Sequence, residues 1–456
     1  MADIVRKFKL PIQEEVTQDL IIDLINAHAD EKGRILKMKE YYKNNNAIKH
    51  RVQRDNNKPN NKLSHGYAKY ITDTYCGYFL GEPVSYKSDN KDTLEKINEC
   101  FVYNDEADEN VSIAHEASIC GYAYEILYVD QDSNLRFKGL NTEEIIVVYD
   151  NTIEERMQFA IRYYDVYNLE KEDLKEVIVY TTKEIITYNY SYNTLNEKER
   201  VPHYFNDVPV VDYENNSCRM GDFEAVISLI DAYDQANSDT ANDFEYFTNA
   251  LLVISGVTMD EEDEAGQPLN FKDNRVLNFV DSNSKAEYLI KNINDSALEN
   301  YKNRLNNDIH KFSNVVDMSD ENFASNLSGV AIKYKLMGME NVTGIKEAKF
   351  RKGLMRRMEL AFNILNIKLN SLFSYTEITP VFTRNIPANE AEMVAMAKSL
   401  YGMVSEETLL SQLPFVEDVQ GELEAIAKEK EEAALAAVDY QFNSEVSEDG
   451  EVDEEE

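Results

Sequence analysis

A chain of 456 residues is long enough for two or three domains, and 47 basic against 84 acidic residues give it a net charge of −37. Without the eight acids of Ser444 to Glu456 the body still carries −29, which argues against a general nucleic-acid binder and against a protein held on an anionic membrane. No run approaches the ~18 apolar residues of a membrane span, the N-terminus has no apolar core of signal-peptide length, and the scattered Cys76, Cys100, Cys120 and Cys218 form no CxxC pair, as expected of reduced thiols in a cytoplasm.

Glycine (16) and proline (9) are scarce, which favours long helices over a turn-rich all-β fold. Thr17 to Lys43 reads as a helix with Leu20, Leu24, Ile35 and Met38 among its apolar positions. Asn44 to Asn61 is an Asn-rich, basic loop around Pro59. Leu63 to Leu80 reads as a helix stopped at Gly81-Glu82-Pro83, and Asp92 to Ile119 as mostly helical. From Tyr122 to Val129 the period changes to two, and further strands are expected at Glu144 to Tyr149, Met157 to Tyr167, Val177 to Tyr180, Glu184 to Tyr190 and Val208 to Tyr213.

Helix returns at Asp222, an expected N-cap. Val226, Ile230, Tyr233, Ala241, Phe244 and Leu251 form its apolar seam, and at 100° per residue Glu224, Asp231 and Asp239 fall opposite. The whole run from Met220 to Phe271 holds twelve carboxylates and no base. Leu251 to Val257 turns strand-like and leads to an acidic loop, Asp260, Glu261, Glu262, Asp263 and Glu264. Short strands are expected at Arg275 to Val280 and Glu287 to Ile290, and a helix at Ser296 to Phe312. The polar Ser313 to Ser328 leads into a helical pattern from about Gly329 to Phe373, on the order of 65 Å long, with kinks expected at Gly338, Gly344 and Gly353. A strand-like Ile378 to Arg384 precedes helices near Asn389 to Tyr401, Glu406 to Gln412 and Gln420 to Ala437, and an acidic tail expected to be disordered.

Tests for chemistry are mostly negative. There is no GxxxxGK[ST] or GxGxxG phosphate cradle and no HExxH pair. Asp130, Asp132 and Asn134 imitate the start of a calcium loop, but Leu135 and Asn141 occupy the positions that need Gly and Glu, so an Asx turn between strands is expected instead. Adjacent acids such as Asp260 to Glu264 read as solvated charge rather than as a metal site. Lys346 to Arg357 holds six bases and one acid, and Lys349, Lys352 and Arg356 share one stripe suited to DNA phosphates or to a neighbouring subunit. No catalytic constellation stands out, and the expectation is a protein that is not an enzyme and needs no cofactor or metal.

A series of long, ordered motifs carries a resemblance: KPNNKL (Lys58 to Leu63), YFLGEPVSY (Tyr78 to Tyr86), GYAYEILYVD (Gly121 to Asp130), VPVVDYENN (Val208 to Asn216), GDFEAVISLIDAYD (Gly221 to Asp234), DMSDENF (Asp317 to Phe323), SGVAIKYKLMG (Ser328 to Gly338), FTRNIPAN (Phe382 to Asn389) and LPFVEDVQGEL (Leu413 to Leu423). Over about Leu20 to Ile426 the chain resembles the portal proteins of tailed bacteriophages, in the subgroup typical of long non-contractile-tailed phages of Gram-positive hosts. The resemblance implies an α+β portal fold assembling into a ring, typically of twelve subunits, at one capsid vertex of the virion, built in the host cytoplasm. It implies a conduit for double-stranded DNA during packaging and ejection, with the terminase large subunit, a head–tail adaptor, and the major capsid and scaffolding proteins as partners, and no membrane.

The family's parts lie on this chain as a wing (1–221), stem helices (222–252 and 296–312), a clip (253–295), a tunnel loop (313–328), a long kinked helix returning to the wing (329–385), a crown (386–438) and the tail (439–456). In that frame Asp317, Ser319, Asp320, Glu321, Asn322, Phe323 and Asn326 would face the DNA channel. Glu224, Asp231 and Asp239 would be an acidic stem face, and Asp260 to Glu264 would dock the motor. The residues themselves also leave open a metal-dependent nuclease, drawing on Asp260 to Glu264 or Asp317 to Glu321, and a protein-only structural adaptor.

Overall fold

A computed structural model describes residues 5–53, 58–166, 174–248, 251–255, 285–289, 295–318, 329–385, 390–410, 413, 416, 419 and 421–430. The chain divides into two compact units, residues 1–323 with 335–385, and residues 324–334 with 386–456.

In the first unit the expected N-terminal helix is two, α1 (Gln18–Ala27) and α2 (Ala29–Tyr42), separated at His28. The Thr17 side chain caps α1 by accepting from Leu20 N. His28 is buried, with its ring against Tyr163. Helix α3 (Tyr67–Leu80) follows the Asn-rich loop. The stretch after Asp92 also divides, into α4 (Lys91–Asn104) and α5 (Glu106–Cys120), because Asp105 takes a left-handed conformation at φ 53°. The break at Asp105 is set by one residue's backbone, and both breaks leave the apolar periodicity intact, so periodicity alone merges the helices.

Two sheets complete this unit. The larger has the order β1 (Phe8–Leu10), β5 (Ile145–Asp150), β6 (Met157–Asp165), β7 (Lys175–Tyr180), β8 (Glu184–Ser191) and β9 (Thr194–Pro202), with β1 parallel to β5 and the rest antiparallel. Its apolar face carries Ile146, Val148, Phe159, Ile161, Val177 and Val179 and closes on Ile21 and Leu24 of α1. Strand β9 escapes the alternation test because its residues are mostly exposed and include the charged run Glu197 to Arg200, as suits a guarded sheet edge.

The smaller sheet places β3 (Tyr122–Val129) between β10 (Val210–Glu214) and β4 (Leu135–Leu140). It shares one core with α3, α4, α5 and α8 (Gly329–Leu369), in which Leu127, Phe137 and Tyr213 meet Phe350, Leu354 and Met358. Two short strands, β2 (Ser85–Lys87) and β13 (Thr379–Val381), pair beside it. The calcium-loop mimic is an Asx turn, with Asp130 accepting from the backbone of Asp132 and Asn134.

Helix α8 runs unbroken through all three glycines at which a kink was expected. At Gly353 the reason is contact: an added Cβ would lie 2.3 Å from the Tyr213 ring, so this glycine lets the sheet approach the helix.

The 3-10 turn Glu224–Val226 starts the acidic helix, which continues as α6 (Ile227–Thr248). Strands β11 (Leu251–Ser255) and β12 (Lys285–Leu289) pair antiparallel, so the strand at 251–255 follows expectation, while Arg275 to Val280 lies outside the described residues. Helix α7 (Asp295–Ser313) follows and packs on α6. In the second unit, α9 (Glu390–Leu400), α10 (Glu406–Leu410) and a helical segment at 421–430 match the expected C-terminal helices in place. Among the described residues no helix is long and apolar enough to cross a membrane.

Candidate functional site

The base-free acidic helix meets its bases from elsewhere in the chain. Glu224 receives a bidentate ion pair from Arg6, at 2.7 and 3.2 Å, and a third bond from Arg34 at 3.0 Å. Arg34 is itself fixed by both oxygens of Glu31, and these neighbours hold its guanidinium pKa above the usual value despite burial. Asp222 takes Lys346 of α8 and the Ser118 hydroxyl on one oxygen and the Asn215 amide on the other, at 2.8 Å. The Asp231 carboxylate accepts from Tyr41 at 2.8 Å, and with burial this raises the phenol's pKa. Asp234 has no exposed surface and accepts from Asn46 at 2.6 Å, from the His65 backbone at 2.9 Å and from His65 Nδ1 at 2.7 Å.

The Asn-rich loop is therefore a strap along α6. Beyond Asn46 and His65, Arg51 pairs with Asp239 at 2.8 Å, Leu63 N donates to Ser238 at 2.9 Å, and Asn61 reaches Asn242 and Glu245. Its polar composition follows from this: each side chain or backbone N–H answers a polar group that α6 turns inward. The apolar seam expected on α6 is fully buried only at its start, with Tyr233 and Ala241 half-buried, and the Leu251 side chain lies outside what is described. Val226 and Ile230 are buried, the next two positions at that spacing are Asp234 and Ser238, and Phe244 is exposed.

The residues of the expected acidic face are thus engaged within the subunit. Glu224 and Asp231 are half-buried and tied to Arg6, Arg34 and Tyr41, and only Asp239 is well exposed, while paired with Arg51. Apolar periodicity could not foresee these partners, because they lie 190 or so residues away in the chain.

Four phenols of α3 hold the elements on either side of 319–328. Tyr67 donates to the Asn306 side chain at 2.6 Å and Tyr75 to Ser313 O at 2.9 Å. Tyr70 donates to Val316 O at 2.8 Å and accepts from Met318 N at 3.1 Å, and Tyr78 donates to Glu340 of α8 at 2.6 Å. Burial raises the pKa of Tyr67, Tyr75 and Tyr78, so they stay protonated donors at neutral pH. A cavity of about 410 Å³ beside them is lined by His65, Tyr233, His310 and Asp317. Asp317 thus sits at the foot of the expected channel segment. Ser319, Asp320, Glu321, Asn322, Phe323 and Asn326 lie outside the described residues, as do Asp260, Glu261, Glu262, Asp263 and Glu264.

The candidate basic stripe is brought together, in company with acids. Lys349, Lys352 and Arg356 line a cavity of about 660 Å³ with Lys7, Tyr149 and Asp212. Lys349 pairs with Glu214 at 2.6 Å, and Arg356 pairs with Asp207 at 2.8 Å and Glu359 at 2.7 Å, while Lys352 is exposed.

Sequence reasoning missed the deepest charge. Arg357 is fully buried, bonding Glu125 at 2.9 Å and Asn110 at 2.8 Å, with Glu106 at 3.3 Å, and Tyr213 also donates to Glu125. A Glu inside an apolar strand pattern was the available signal. Among the described residues no group of three or more His, Cys, Asp or Glu is arranged to hold a metal ion.

The described residues form a mixed α+β fold, as a phage portal subunit does. The family model described as phage portal protein, SPP1 Gp6-like, matches residues 22–435, and the chain belongs to that family. It is 27% identical over 448 residues to a portal protein of Clostridium phage phiCD119, covering 92% of this chain and 98% of the relative. It is also 27% identical over 401 residues to the portal protein of Bacillus phage SPP1, covering 83% and 78%.

Proposed function

We propose that this chain is the subunit of a closed homo-oligomeric ring, of twelve copies, at one vertex of a phage capsid. Double-stranded DNA enters through that ring in packaging and leaves through it in ejection. Membership of the portal family over 22–435 carries this reading. In the same reading α6 and α7 are the stem, 253–295 is the clip that docks the terminase large subunit and later the head–tail adaptor, and 313–328 is the tunnel loop. The segment 386–438 is the crown, and the major capsid and scaffolding proteins surround the ring as it nucleates the procapsid.

The anchoring of α6 supports a stem in this role. A conduit for a polyanion must hold shape under load and keep its own attraction to phosphate low, since each phosphate neutralised adds salt-dependent affinity. Ion pairs from Arg6, Arg34 and Lys346 fix the start of α6 while consuming bases that would otherwise bind phosphate.

Averaged end-on electron micrographs and native mass spectrometry of the purified protein test the reading. A closed ring of one defined size is expected. Monomers or dimers under all assembly conditions would refute it, and so would DNA cleavage with Mg²⁺ or Mn²⁺.

A further inference from the structure

Resting on that reading, we infer that one face of α7 is the stem surface along which the DNA backbone runs: the stripe of Asn300, Asn303, Arg304, Asn307 and Lys311. All five residues are exposed. At 100° per residue they fall within a sector ~100° wide, opposite the buried Leu305 and Ile309. No carboxylate lies in that sector. Glu299 and Asp308 flank it on its two sides, and Glu299 is drawn to Lys302.

The amides of this stripe are also unspent, and its cations are loosely held, with Lys311 5.7 Å from the Phe312 ring centroid. Among the described residues the amides of Asn300, Asn303 and Asn307 have no partner, and Arg304, whose side chain is 82% exposed, comes no nearer to Asp308 than 3.9 Å. On a body of charge −29 this exposed face carries three amides and two cations and no acid.

Its chemistry fits a phosphodiester backbone. Asn amides, Arg and Lys all donate to phosphate oxygens, and such contacts carry no sequence information. Two cations two helical turns apart, ~10 Å along the axis, give each subunit a small counterion-release term, so contact stays weak enough for DNA to slide. A second copy of this chain is the rival occupant, since it too is acidic. An interface between permanently associated subunits has an apolar core, and this stripe has none, because Tyr301 and Phe312 lie outside it. The neighbouring α6 exposes Ser228, Gln235, the paired Asp239, Phe244 and Glu245, so it presents carboxylates and no cation.

The test uses the full-length protein in infecting phage. A p-benzoylphenylalanine replaces Asn307 in one variant and Gln235 in another, and DNA-filled heads are illuminated. Adducts between DNA and position 307, with few from position 235, are expected. In parallel, Arg304→Glu with Lys311→Glu should leave ring assembly and melting temperature unchanged and reduce DNA-filled heads on the order of tenfold, with a smaller loss for the Gln pair. Adducts from 307 to a second copy of the chain, DNA adducts from 235 alone, or normal filling by the Glu pair would overturn the inference and leave the conduit standing. Failure of the unmodified protein to form rings or fill heads would overturn the conduit, and the inference with it.

Discussion

Helices α6 and α7 pack on one another and handle charge in opposite ways. In α6 the side turned to the lobe continues from Val226 and Ile230 into Asp234 and Ser238, and its carboxylates are met by Arg6, Arg34, Tyr41, Asn46, Arg51 and His65. In α7 the inner side is carried by Leu305 and Ile309, and the outer stripe leaves its amides without partners and its cations only loosely held. The contrast teaches that net charge along a sequence says little about charge presented. The more acidic helix is held by its acids, and the less charged one is the better candidate for contact with a polyanion.

The largest expected effect breaks the α6 side of this contrast. The ion pair of Lys346 and Asp222 is nearly inaccessible, with 7% and 4% side-chain exposure. Lys346→Met leaves Asp222 with only the Ser118 and Asn215 donors, and losing one partner of a buried pair costs about 3 kcal/mol. Chemical denaturation should show that loss, with rings failing to assemble at a temperature the parent tolerates.

A similar loss is expected in acid, from the hinge between α1 and α2. Burial, with Lys32 nearby, lowers the His28 pKa from 6.5 to about 4. The folded state therefore holds this ring neutral while the unfolded chain takes up a proton below pH 6.5, so its contribution is full above that pH and lost as pH falls towards 4. The whole shift is worth on the order of 3 kcal/mol. Because α2 carries Arg34 and Tyr41, acid should loosen the support of α6. Melting temperature should fall between pH 7 and pH 5, and His28→Phe should flatten that dependence.

Much of this framework was legible beforehand. The spacing of Leu305 and Ile309 in α7 is imposed by one buried face, which is a local property of sequence, whereas β3 is buried on both faces over Tyr122 to Leu127 and is read from its aromatic and branched residues. What stayed hidden was pairing across the chain. Asn44 to Asn61 read only as an Asn-rich, basic loop, and its role as a strap depends on Asp234, Ser238 and Asn242, which lie some 170 to 190 residues further on. Arg357 read as part of a basic run because its partners Glu106 and Glu125 come from α5 and β3. Gly353 read as a kink because the Tyr213 ring that needs the space is on another strand.

An intermediate effect separates anchoring from presentation at the foot of 319–328. Tyr70→Phe keeps the ring and removes the hydroxyl that joins Val316 O to Met318 N. The expected cost is about 1 kcal/mol, small against global stability. If the foot of that segment must be held for DNA to pass, packaging should fall while melting temperature and ring formation barely change. Equal packaging by the parent and the variant would show that the Tyr70 clamp is a packing detail.

The smallest expected effect sharpens the contrast most, because it falls where α6 comes nearest to presenting a free charge. Asp239 is 54% exposed at its side chain, with Arg51 20% exposed beside it, and an exposed ion pair contributes at most about 1 kcal/mol. Asp239→Asn should therefore leave melting temperature almost unchanged. Its effect on packaging tells whether α6 acts by repulsion. If stem carboxylates repelled DNA, Asp239→Asn would change packaging rate and its salt dependence, as loss of one charge per subunit should. If α6 is held by its acids and α7 meets the backbone, Asp239→Asn should match the parent at every salt concentration, and Arg304→Gln should not.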